Sequence, residues 1–96
     1  FSGQGTYYDI SSQGISCEKQ DLPKENGDMV AAINGKQYKK SLCGKCVQAT
    51  GPIGTVKVQI VDYCSSCPHG DLDFTPEAFD KIAKRKDGRV PISWSF

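Results

Sequence analysis

Histidine, methionine and tryptophan each occur only once in this 96-residue chain, and it has no long apolar run. A helix that crosses a membrane needs about 20 consecutive apolar residues, so no such helix is expected. One histidine, His69, is too few for a histidine-rich metal site. Charge of one sign is also lacking: 12 Lys+Arg against 11 Asp+Glu leave a net +1. That balance favours neither nucleic acid nor an anionic membrane as a partner. No signal-peptide pattern is present, so Phe1 reads as a mature or trimmed start of a soluble chain. There is no internal repeat and no linker. The length suits a single domain, 1–96, with one modest core.

Cysteine, by contrast, is plentiful. Five cysteines in so short a chain indicate disulfide staples and an oxidising, extracellular compartment; the alternative is five buried thiols in a cytosolic domain. Cys43-Gly44-Lys45-Cys46 and Cys64-Ser65-Ser66-Cys67 have zinc-ribbon spacing. Each pair abuts a strand pattern rather than a paired knuckle, so no metal is expected.

The most informative stretch is 55–82. Val56, Val58 and Ile60 alternate with Lys57 and Gln59, the period of a half-buried strand. Asp62 continues the phase of the buried set at the strand's end, which puts a carboxylate where the core opens. In 71–74, Leu72 and Phe74 share one face and Asp71 and Asp73 the other. Thr75 is a cap, Pro76 suits the first helical position, and Glu77 sits at the positive end of the dipole. A helix over about 76–85 follows, with Ala78, Phe79, Ile82 and Ala83 as its apolar face. Lys84, Arg85 and Lys86 lie at its negative end and Gly88 beyond as terminator.

Elsewhere the pattern is of short strands and turns. Tyr7 and Tyr8 favour a strand and point to opposite faces, one of them into the core. Residues 11–28 read as a long irregular loop pinned by Cys17. The apolar run 29–33 suits a strand or a helical turn. Asn34-Gly35 is a turn signal and 51–54 a second turn, with a strand candidate at 47–50 between them. Val90, Ile92, Trp94 and Phe96 alternate with polar residues and proline at the end, so Trp94 is assigned to the core. Several short strands with one helix suggest a small β-barrel.

Cys43-Gly44-Lys45-Cys46-Val47, the 51–54 turn, Val61-Asp62-Tyr63-Cys64 and the run from Asp71 to Phe79 together carry a resemblance. So do Gly5-Thr6-Tyr7-Tyr8 and Val90-Pro91-Ile92-Ser93-Trp94. In order and spacing the chain resembles the barwin, expansin and loosenin superfamily, over nearly its whole length. The resemblance implies a mainly β fold, a six-stranded double-psi β-barrel with long disulfide-pinned loops. It is similar to the first domain of expansins, without their second carbohydrate-binding domain.

The resemblance implies function as well. Thr6, Asp62 and Asp73 match the polar centre of the expansin groove, with Asp73 at the position of the aspartate essential for wall loosening. The tyrosine usual just beyond the first aspartate in bacterial expansins is not matched; Cys64 stands there. The expectation is a secreted, monomeric protein without a cofactor. It binds a cell-wall polysaccharide (cellulose, chitin or peptidoglycan) and loosens it without hydrolysis. Two carboxylates brought close push one pKa upward, and a protonated carboxyl can donate to a sugar oxygen. The bland alternative has Asp62 and Asp73 bonding only loop amides. Tyr7, Tyr8 and Tyr63 are the expected substrate-binding rings, Tyr63 foremost at the groove; Tyr38 and Trp94 are further aromatic candidates.

Two other functions are open. Tyr7-Tyr8-Asp9 resembles the segment that supplies the second carboxylate in small inverting endoglucanases on this barrel. Asp9 and Asp73 would form that pair, with carboxyls roughly 6.5–9.5 Å apart. Yet the insertions that build those enzymes' groove are missing, and so is the lytic transglycosylase pattern. The other function is inhibition of a papain-type protease through the loops at 11–28 and 64–71, since a rigid loop loses little entropy on binding. The barwin pattern implies a Cys17–Cys43 disulfide. Cys64–Cys67 is the local partner choice, leaving Cys46 unpaired and buried; Cys46–Cys64 and Cys46–Cys67 compete with it.

Overall fold

A computed structural model describes residues 1–10, 15–17 and 27–96. Among these residues six strands are present: β1 (Ser2–Tyr7), β2 (Val30–Asn34), β3 (Cys46–Thr50), β4 (Thr55–Cys64), β5 (Leu72–Phe74) and β6 (Val90–Ser95). One helical turn, α1 (Pro76–Phe79), follows β5, and short 3-10 turns occupy Lys40–Leu42 and Arg85–Asp87. The strands close into a barrel in the order β1-β5-β2-β4-β3-β6. The β1–β5 and β2–β4 pairs are parallel and the other four are antiparallel. The architecture is a double-psi β-barrel. Most of the loop expected over 11–28 lies outside the described residues.

Alternation builds the core. On β3, Val47 and Ala49 point inward while Cys46, Gln48 and Thr50 face out. On β6, Val90, Ile92 and Trp94 are buried and their neighbours exposed. The Trp94 indole donates to the Gly70 carbonyl at 2.8 Å, which meets the need of a buried N–H. The run 29–33 resolves as a strand: Val30–Asn34 is buried throughout, between β4 and β5.

One irregularity sets the site. Along β4, Val56, Val58 and Ile60 face the core, but Val61 is buried as well. Ile60 pairs with Ala31 and Asp62 with Ala32, so Val61 is an extra residue, a β-bulge. Val61 joins a second, smaller cluster with Ile10 and Val30. The bulge shifts the phase by one residue. Asp62 therefore leaves the buried set that the simple alternation assigns it to.

The helix is shorter than the 76–85 pattern predicts. The Thr75 hydroxyl accepts from the Ala78 N–H, and Pro76 opens the helix. After Phe79 the bonds tighten: Lys81 N–H donates to Ala78 O and Ile82 N–H to Phe79 O. The Ile82 carbonyl is taken by Ile53 N–H at 3.0 Å, and Lys84 is extended. The 51–54 turn thus competes for the bonds that a longer helix needs. The apolar face still packs, with Ala78, Phe79, Ile82 and Ala83 all in the core. Gly88, at φ +67°, ends the following 3-10 turn rather than the helix.

Disulfides join Cys17 to Cys43 and Cys64 to Cys67. Cys46 is a thiol on the outer face of β3. It is exposed, not buried as expected, because Val47 and Ala49 take the inward positions.

Candidate functional site

The register brings the expected polar residues into one line. Thr6 on β1 stands opposite Asp73 on β5. Asp73 stands opposite Ala32 on β2, and Ala32 opposite Asp62 on β4. Residues opposite one another in a sheet share a face. Since Phe74, Leu72 and Ile33 fill the interior, this row faces outward. Two strand spacings separate the Asp73 and Asp62 backbones, roughly 9.6 Å. Ala32 stands between them in the register.

The hydrogen bonds orient the row. Thr6 Oγ1 donates to Asp73 Oδ1 at 2.9 Å. The Tyr8 hydroxyl donates to Asp62 Oδ2 at 3.3 Å, and Asp62 Oδ1 accepts from Tyr63 N–H at 2.8 Å. Burial pushes the Asp73 carboxyl above the ordinary carboxylate range. The Thr6 hydrogen bond pulls it down, the Asp62 charge raises it, and Arg89 lowers it. Burial also drives the Tyr8 phenol well above its usual value, helped by the charges of Asp62 and Asp73 and the hydrogen bond to Asp62. Tyr8 therefore stays protonated, a fixed donor to Asp62. The line presents carboxylate oxygens that accept from hydroxyls, and in Asp73 a carboxyl that holds its proton longer than usual.

The other expected residues lie elsewhere. Tyr7 turns inward, its ring 4.8 Å from Phe79 and its hydroxyl donating to the Arg85 carbonyl. It packs against the core and does not join the row. Tyr63, next to Asp62 on β4, points to the opposite face. Its ring stacks on Tyr38 at 4.5 Å and remains 41% exposed. Asp9 lies exposed two residues beyond the end of β1. No metal-ligating cluster of His, Cys, Asp or Glu occurs among the described residues.

Two members of the site escape a reading of the sequence. Ala32 is one: only the β2 register shows that it separates the carboxylates. Arg89 is the other. It precedes Val90, which pairs with Gly5, so the register carries it toward Thr6. Its guanidinium lies 3.8 Å from Asp71 Oδ2 and its charge reaches Asp73. Asp71 is itself tied down, accepting from Gln4 N–H at 2.9 Å. The expectation that Asp62 and Asp73 bond only loop amides does not describe Asp73, whose partner is the Thr6 hydroxyl.

A family model of double-psi β-barrels, described as lytic transglycolase, matches residues 2–94. The chain belongs to this family. It is an expansin-like member. Expansin-YoaJ of Bacillus subtilis (strain 168) is 36% identical over 64 residues, which are 67% of this chain and 28% of the relative. A solved Clavibacter michiganensis expansin, an aspartate-to-asparagine mutant in complex with cellohexaose, superposes with a TM-score of 0.82 at 32% identity. That match covers 98% of this chain and 48% of the expansin. The expansin-like barrel described here thus spans about half of the solved expansin and just over a quarter of the curated one. A Streptomyces papain inhibitor shares the fold across 100% of this chain and 94% of its own, with a TM-score of 0.76 at 20% identity.

Proposed function

We propose that this barrel is secreted, binds a cell-wall polysaccharide along the Arg89–Thr6–Asp73–Ala32–Asp62 line and loosens it without hydrolysis. The observation that carries the reading is the row itself. Two carboxylates on one outer face of the barrel are held by a threonine and a tyrosine, with Ala32 between them in the register. Such a line accepts hydrogen bonds from successive sugar hydroxyls while the polymer lies along the surface. The complex of a related expansin with cellohexaose supports a β-glucan as one occupant. Loosening follows if Asp73 competes for hydroxyls that otherwise bond a neighbouring chain.

The test is a pull-down on insoluble cellulose, chitin and peptidoglycan, followed by a loosening assay and a sugar-release assay. Asp73→Asn is run beside the parent. The parent binds one polymer and releases no soluble sugar. Asp73→Asn loses at least about tenfold in loosening, the size of a charged hydrogen bond removed. Full loosening by a folded Asp73→Asn chain, or sugar release by the parent, overturns the reading. Binding to none of the polymers turns the search to papain-type proteases.

The direction of the Asp73 shift sets the sign of the expected change in stability. Its pKa is raised in the folded chain, so the ionised carboxylate opposes folding. The contribution is favourable below the ordinary carboxylate range and is lost as pH rises through the raised pKa. Asparagine keeps an oxygen for Thr6 and carries no charge. Asp73→Asn is expected to melt no lower than the parent at neutral pH and to lose that advantage in acid. Melting curves at the two pH values check this.

Ala32 offers a second handle on the same site. Ala32→Val puts two further carbons between the carboxylates and leaves both in place. Overpacking costs about 1–3 kcal/mol, which a melting curve records. Binding to the polymer is expected to fall about tenfold beyond what the melting shift explains at the assay temperature. Ala32→Gly, which deepens the gap, keeps the binding.

A further inference from the structure

Asparagine occurs twice in the chain, at 26 and 34, and glycine follows it both times. The pair is chemically fragile. Glycine has no side chain to hinder its nitrogen from attacking the asparagine side-chain carbonyl. Asn26 lies outside the described residues. Asn34 is the last residue of β2, and it is fully buried.

The fold keeps the two reacting groups apart. The Gly35 N–H donates to the Cys64 carbonyl at 2.8 Å. Asn34 pairs with Cys64 in the parallel β2–β4 register, and a Cβ on Gly35 would meet Ser65 Cα at 3.1 Å. Gly35 is thus pressed against 64–65. The Asn34 amide is occupied as well. Its Nδ2 donates to Gln37 Oε1 at 2.7 Å and to the Asp71 carbonyl at 3.1 Å, and its Oδ1 accepts from Gln37 N–H at 3.0 Å. Gln37 Oε1 in turn accepts from Gly70 N–H at 3.1 Å. For the attack to occur, the Asn34 amide must turn out of its bonds and Gly35 must leave Cys64. Ammonia must then depart from a residue with no exposed surface.

We propose that Asn34-Gly35 is a deamidation site that the folded barrel holds shut, and that opening of the β2–β4 end converts it irreversibly. The Gly35 nitrogen gives up its proton and bonds to Asn34 Cγ. The Cγ–Nδ2 bond breaks, and ammonia departs with that proton. Water then opens the succinimide at either carbonyl, which leaves aspartate or isoaspartate. No oxidant or reductant takes part. Both Nδ2 partners are carbonyl oxygens, and a carboxylate has no hydrogen to give them. A charge there is buried among acceptors. Closing again is therefore costly, and the loop that leads into β5 loses its tie to Asn34. The Cys64–Cys67 disulfide guards the site, because it fixes the segment whose carbonyl holds Gly35. None of this depends on what the acidic row binds.

The test is peptide mapping by mass spectrometry after incubation of the whole chain in mildly alkaline buffer, folded and in urea. In urea, Asn34 gains the mass of an amide turned to a carboxyl, and Asn26 serves as the reference for the same dipeptide. In the folded parent, Asn34 converts at least about tenfold more slowly than in urea, as a core amide that reacts only on opening must. Cys64→Ser/Cys67→Ser converts Asn34 about tenfold faster than the parent, because loss of the closure enlarges the open population. Melting curves set an incubation temperature at which both chains are folded. Asn34→Asp, which reproduces one product, melts about 4 °C or more below the parent. Three results overturn the proposal: conversion of Asn34 in the folded parent as fast as in urea, equal conversion in the parent and the serine variant, or an Asn34→Asp chain that melts with the parent.

Discussion

Gly70→Ala is expected to unfold much of the population at temperatures where the parent is intact. Gly70 sits at φ +92°, where a side chain is strained by about 1–2 kcal/mol. A Cβ there would also overlap the Ser2 carbonyl oxygen, which is backbone of β1 and has nowhere to go. Moving the segment aside breaks the bond from the Trp94 indole and strands a buried N–H, worth about 1–3 kcal/mol. The sum is about 2–5 kcal/mol. A domain of this size has about 5–14 kcal/mol in all. The melting midpoint should fall by about 8 °C or more. Gly88→Ala is the control: it also has positive φ, at +67°, but nothing lies within 4 Å of its Cβ position, so only the backbone strain is paid. Trp94 fluorescence during melting reads both. Equal midpoints for the two variants would show that the contact of Gly70 with β1 is soft.

The two disulfides should differ sharply when each is removed as a pair of serines. Cys17–Cys43 closes 26 residues, and the chain-entropy relation assigns it about 3.5 kcal/mol. Cys64–Cys67 closes three, for about 1.6 kcal/mol by the same relation. The long closure also fastens Cys17, whose N–H donates to Val61 O at the bulge. Cys17→Ser/Cys43→Ser is therefore expected to melt about 14 °C or more below the parent and to loosen the cover over Ile10, Val30 and Val61. Cys64→Ser/Cys67→Ser should lose less than half of that. Urea denaturation gives both free energies directly. The prediction fails if the short bridge proves the costlier to remove.

What the sequence made legible, and what it did not, follows from the range of each interaction. Strand β6 and the strand phase of Val56, Val58 and Ile60 are local alternations, and they stand in the fold as read. The acidic centre was readable through motif order, because Thr6 and Asp73 fall on strands that pair directly. Ala32 and Arg89 were not, since each enters the site through a pairing with a distant strand. The bulge at Val61 is silent in sequence: an apolar residue between Ile60 and Asp62 suits either phase. It reverses the assigned faces of Asp62 and Tyr63 and so takes Tyr63 to Tyr38. Parity told that Tyr7 and Tyr8 diverge, but only the packing of Phe79 decides that Tyr7 is the inner one. The exposure of Cys46 is legible in the inward phase of Val47 and Ala49, against the general tendency of free cysteine to be buried. The helix gives way after Phe79, and the Ile82 carbonyl beyond it accepts from Ile53, 29 residues upstream, a pairing that no local pattern shows.

Closure of the barrel has a consequence for copies of this chain at high local concentration. An open sheet ends in two strands whose N–H and C=O groups invite a further strand from another chain. Here each of the six described strands has a bonded neighbour on both sides, and the ring they form leaves no such template among the described residues. Densely gathered copies can touch through side chains without recruiting one another into a growing sheet. The shortest stave, β5, with three residues, is the place where that seal is thinnest, and it is the one that carries Asp73.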